Sequence, residues 1–196
     1  HLGAGTGRGR RRLGDLDHLI FYLLQSTSFT SLPPIEPALS AKTLVDGLGT
    51  AARVTFLQGG DAGASSVSAA VRARAAALLD ALDKPKADPR LLYFGELVKT
   101  TFPDPKTRLS GLTREYLRVM RFVYEKEFVA QRAARPGDAV ADLYRPRGLS
   151  TDTAVEAGFL VSIGVGILRA LEPGQRIRRV LIVGPGLDLA PRTGLL

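Results

Sequence analysis

Apolar residues recur at three- and four-residue intervals over most of this chain, the pattern of helices that each bury one face. In DLDHLIFYLLQS, from Asp15 or Asp17 to Ser26, Leu16, Leu19, Ile20, Leu23 and Leu24 share a side, and the acids near its start favour the helix dipole. Pro37 suits the first turn of a second helix reaching about Leu48, where Gly47 and Gly49 end it. An Ala-rich helix from Ser65 or Ser66 to Leu82 carries Val67, Val71, Ala75, Leu78 and Leu82 in register. Asp88-Pro89 reads as an N-cap and first-turn proline opening RLLYFGELVKTT. The longest helix runs from about Leu112 to Ala133, with Leu112, Tyr116, Val119, Met120, Val123 and Phe128 as its core stripe. Arg114, Glu115, Arg118, Glu125, Lys126 and Glu127 decorate its outside. Arg135-Pro136-Gly137 stops it, and Asp138 caps a short helical turn to Tyr144.

Four stretches break this pattern. SFTSLPPIEP, Ser28 to Pro37, is extended, because each proline biases its predecessor away from helical angles; Phe29 and Ile35 let it wrap the core. Arg53 to Leu57, RVTFL, is rich in β-branched and aromatic residues and reads as a short strand. The helix from Ala154 to Leu171 is apolar nearly all round but shorter than a comfortable membrane span, so it reads as a buried helix and no transmembrane helix is expected. Its Gly158, Ser162 and Gly166, four residues apart, form a small-residue face that admits a second backbone. Finally, RRVLIVGPGLDLAP, Arg178 to Pro191, runs from two basic residues through Val180 to Val183 into Gly184-Pro185-Gly186. An unalternating apolar run of this kind suits a parallel strand covered on both faces, and a turn without Cβ atoms lets backbone N–H groups approach a ligand.

The buried helix, the Pro-Gly turn, the basic pair, VLIVG and PGLD together resemble the opening of a class I S-adenosylmethionine-dependent methyltransferase fold. Gly184 and Gly186 match the central glycines of that family's first motif, and Val180 to Val183 match its strand. Ile182 stands where the family carries an acid, and Asp188 where it carries a third glycine. The arrangement also looks like bacterial proteins in which a helical region precedes a methyltransferase-like domain. The resemblance implies S-adenosylmethionine as cofactor, Gly184, Pro185, Gly186 and Asp188 as its contacts, and catalysis by placing an unknown acceptor in line with the methyl group. The rest of the sheet, including the acid for the ribose hydroxyls, is expected after Leu196. The expected organisation is a flexible basic leader at 1–14, a helical region at 15–150 and the start of a Rossmann-like α/β domain at 151–196.

Composition narrows the alternatives. The 196 residues are 45% hydrophobic and 23% charged, an ordinary globular balance. Of the net charge of +8, half comes from Arg8, Arg10, Arg11 and Arg12 in the Gly-rich leader. Such an arm can touch phosphates, but no aromatic residues interleave with the arginines as a stacking platform requires, so nucleic acid is not the expected partner. With no cysteine, disulfides and thiolate chemistry are excluded. His18 lies in the first turn of its helix without a partner in sequence and reads as structural, and Glu125 and Glu127 read as surface charge. A chain beginning at His1 fits either a cytoplasmic protein or a processed extracytoplasmic one. The competing reading is a non-enzymatic helical binding or assembly module, a homo-oligomer among the options, whose glycine loop is only a tight turn.

Overall fold

A computed structural model describes residues 4–85, 88–144, 164 and 166–174, leaving undescribed the side chains of residues 4–13 and of Tyr144. The chain divides into two compact units, His1–Ser150 and Thr151–Leu196. The described residues are 75% helical and contain no strand, so the first unit builds its core from helices alone.

Among the described residues seven α-helices carry that unit: α1 (Ala4–Gln25), α2 (Pro37–Asp46), α3 (Thr50–Leu57), α4 (Ala69–Asp83), α5 (Pro89–Thr101), α6 (Arg108–Tyr124) and α7 (Pro136–Tyr144). Their starts are fixed by side chains that satisfy free backbone donors. Glu36 accepts from the Ala38 and Leu39 N–H groups before α2, Ser68 from Val71 N–H at 3.3 Å before α4, and Asp88 from Arg90 N–H at 2.9 Å before α5.

Helix α6 is the hub, with α1, α2 and α4 packed against it. Its Leu112, Tyr116, Val119, Met120 and Val123 are buried, as the stripe anticipates, while Phe128 is half-buried beyond it with its ring 5.3 Å from that of Tyr124. The α1 set Leu16, Leu19, Ile20, Leu23 and Leu24 and the set Val67, Val71, Ala75, Leu78 and Leu82 complete the same core. After Tyr124 the helix continues through a π-helical stretch, Glu125–Val129, and a 3-10 turn, Ala130–Arg132. Phe29 and Ile35 are partly buried on the core, so the Pro-rich segment does wrap it.

Four elements depart from expectation, one of them α6, which starts at Arg108 rather than about Leu112 and is shorter than α1. RVTFL is not a strand but the body of α3. Only Phe56 is fully buried, with Arg53 and Leu57 half-buried beside it, and that three-and-four spacing is helical. Helix α1 begins at Ala4 rather than at Asp15, so residues 4–14 continue the helix where a flexible leader was expected. Its packed half supplies the nucleus, and the arginines upstream propagate it despite glycines that each cost about 1 kcal/mol. The Ala-rich helix starts at Ala69, because Ser68 caps it and Ala64–Ser66 forms a separate 3-10 turn.

Gly111 marks a close contact between α6 and the residue that ends α5. A Cβ there would lie 2.5 Å from two ring carbons of buried Phe102, whereas one on Gly137 in α7 would meet nothing within 4 Å. Gly111→Ala should therefore cost about 1–3 kcal/mol through overpacking, while Gly137→Ala should add up to about 1 kcal/mol by restricting the unfolded chain. Urea unfolding of the two variants checks both signs.

Candidate functional site

The sequence-derived cofactor residues Gly184, Pro185, Gly186 and Asp188 lie outside the described residues, as do the strand Val180 to Val183, Gly158 and Ser162. Residues 166–171 are helical, as the end of the helix expected there, but Gly166, Ile167, Leu168 and Leu171 are exposed, so this end is not buried as its apolar composition predicts. The geometry that can be built up therefore belongs to the helical unit.

Its most unusual side chain is Arg74, in the middle of α4, with 1% of its surface exposed. Arg74 lies between Val71 and Leu78 at core spacing, so the register that buries the stripe buries the guanidinium as well. Nε donates to the Leu23 carbonyl at 2.7 Å, one terminal nitrogen to Leu32 and Pro33 at 2.7 and 3.0 Å, and the other to Ser26. Burial pushes its pKa down from the ordinary guanidinium value, yet an arginine remains protonated. Its charge rests against carbonyls at the C-terminus of α1, the negative end of that helix dipole.

A second buried charge sits between α1 and α6. Asp17 is 0% exposed and accepts from Arg118 at 2.6 Å, and Arg118 also donates to Glu115 at 2.7 Å. Burial opposes the charge on Arg118, but the two carboxylates outweigh it and hold the pKa above its ordinary value. Arg118 thus turns inward, contrary to its expected place on the solvent face. Between α2 and α6, Ser40 and Tyr116 share a buried hydrogen bond of 2.9 Å; burial pushes the Tyr116 phenol up, and the bond partly offsets this.

The α1–α5 seam gathers aromatic and ionisable groups. The His18 ring lies 5.5 Å from that of Phe94, the Tyr22 ring 5.0 Å from it, and the Arg90 guanidinium 5.5 Å from the Tyr22 ring. Histidine 18 is therefore built into an aromatic stack, which fits its structural reading. Glu127 pairs with Lys126 at 3.2 Å. Among the described residues no group of three or more His, Asp or Glu could hold a metal ion. Beside the segment joining α1 to α2 lies a shallow groove of about 460 Å³, lined by Ser28, Phe29, Asp80, Ala81, Lys84 and Leu91 among others. A second, of about 130 Å³, lies among α4, α5 and the start of α6.

These features define a helical unit with buried polar staples and a shallow surface groove. No protein-family model, curated protein or solved structure matches the chain. No described helix is long and apolar enough to cross a membrane.

Tyr93, next to Phe94 and 42% exposed, is hydrogen-bonded to Asp15; burial and that carboxylate push its phenol up to about 12. Its folded-state pKa lies above the ordinary 10.0, so its contribution to stability is complete below the unfolded value and is lost as pH rises through about 12. Ultraviolet titration should show Tyr93 and Tyr116 ionising late, and of these only Tyr93 should move back towards 10.0 in Asp15→Asn. An unchanged curve in that variant would remove Asp15 from the explanation.

Proposed function

We propose that this chain belongs to an S-adenosylmethionine-dependent methyltransferase-like protein, with Gly184, Pro185, Gly186 and Asp188 contacting the cofactor. The observation that carries this reading is the run VLIVGPGLD, four apolar residues suited to a covered strand followed at once by a Gly-Pro-Gly turn. It is supported by the location of that run in the second compact unit, beyond a helical unit that fills its own core.

The residue types fit the cofactor. Gly184 and Gly186 lack the Cβ that would keep a ligand from the backbone, and Asp188 supplies a carboxylate for a cation bearing hydroxyl groups. The bound cofactor would supply an electrophilic methyl group on sulfonium sulfur; the chain's own task is to bind and orient, so positioning dominates over covalent catalysis. The helical unit then serves acceptor recognition or assembly.

A second reading, a non-enzymatic helical binding or assembly module, is favoured by the self-sufficient helical core and by exposed Leu92 and Tyr93 on α5. One experiment separates the two. Calorimetric titration of S-adenosylmethionine into the protein expressed from its full reading frame should give a dissociation constant of about 1–100 μM. Gly184→Val and Asp188→Ala should each weaken it at least about tenfold, a loss of about 1.4 kcal/mol. Absence of heat at millimolar ligand, with the protein folded, would reject the cofactor assignment and leave the helical module standing.

A further inference from the structure

Residues 26–36, STSFTSLPPIE, join α1 to α2 and carry two adjacent prolines. Thr27, Ser28, Ser31, Pro33 and Pro34 are exposed, and the anchors Phe29 and Ile35 are only partly buried. Two backbone bonds tie the segment to α1, Ser26 N–H to the Tyr22 carbonyl at 3.0 Å and Ile35 N–H to the Leu24 carbonyl at 2.8 Å, and the Tyr22 and Ser28 hydroxyls share a hydrogen bond of 2.5 Å. Arg74 reaches it from α4 and donates to its Ser26, Leu32 and Pro33 carbonyls, with the guanidinium carbon 5.2 Å from the Phe29 ring centre.

We propose that this segment is a strap, latched by Arg74, that opens as a unit while the helical bundle stays folded, and that its opening removes one wall of the groove lined by Phe29, Asp80, Lys84 and Leu91. Segments held by few buried apolar contacts form the low-stability end of a fold. The latch is a cation, and this makes both states accessible. In the closed state its terminal nitrogens are satisfied by strap carbonyls and Nε by the Leu23 carbonyl of α1; once the strap leaves, the terminal nitrogens meet water, so opening leaves no buried charge without partners. An apolar latch would instead be exposed to solvent on opening. The acceptors are main-chain carbonyls, so the hydrogen bonds of the latch read the path of the strap, with the Phe29 ring as an added contact. Ser28 and Phe29 travel with the strap, and both line the groove of about 460 Å³.

Hydrogen exchange on the intact chain tests this at two amides. In Arg74→Lys, a point charge replaces the planar fork and fewer carbonyls are held. The Ile35 amide should exchange at least about tenfold faster, as expected for loss of roughly one charged hydrogen bond, while the Met120 amide in α6 keeps its protection. Phe29→Ala, which removes a strap anchor outside the buried core, should produce the same split and serves as the deciding variant should Arg74→Lys fail to fold. Equal acceleration of Ile35 and Met120 would show that strap and bundle open together and overturn the proposal. An unchanged Ile35 rate would overturn it as well.

Discussion

A guanidinium 1% exposed must find its hydrogen-bond partners inside the protein, and Arg74 finds them in the carbonyls of Leu23, Ser26, Leu32 and Pro33. That requirement joins three parts of the chain. It fixes α4 against the end of α1, satisfies carbonyls that the helix terminus leaves free, and bends the following segment back over the core. Prolines 33 and 34 suit such a path, since they donate no backbone hydrogen bond and the contact asks the segment only for acceptors. The electrostatics agree, because the cation lies at the negative end of the α1 dipole.

Around this staple the remaining architecture is ordinary helix packing with α6 at the centre. Two further polar contacts fix how helices meet it: Asp17 with Arg118 on the α1 side and Ser40 with Tyr116 on the α2 side. Buried pairs of this kind are weak evidence for stability, but they penalise any register that leaves one member alone. Gly111 lets Phe102 close over the first turn of α6, where no Cβ would fit. Polar pairing and close packing therefore select the same arrangement.

Much of the helical unit was legible because burial follows period. The stripes of α1, α4 and α6 and the cap Asp88 obey simple spacing rules, whereas Ser68, which caps α4, falls inside the helix that periodicity starts at Ser65 or Ser66. What escaped were charges at core positions. Arg74 sits between Val71 and Leu78, and Asp17 sits three residues before Ile20, so both share the apolar face of their helices. Reading hydrophobic residues alone passes over them; asking which charges fall in the core register would have found both. RVTFL misled because β-branched composition competes with a helical burial pattern, and tertiary context decided for the helix. The upstream start of α1 was hidden by its glycines, which weaken local propensity without preventing extension from a packed helix. Gly184, Pro185, Gly186 and Asp188 rest on their sequence pattern, since they lie outside the described residues.

The hub, the staples and the strap of the helical unit all lie within His1–Ser150. The proposed cofactor residues all fall in the second unit, so folding of the first should not depend on them. The most direct measurement is urea unfolding of residues 1–150 expressed alone, followed by helical circular dichroism. One cooperative transition from a helical baseline is the predicted result. A gradual loss of signal without a transition, while the complete chain unfolds cooperatively, would contradict it.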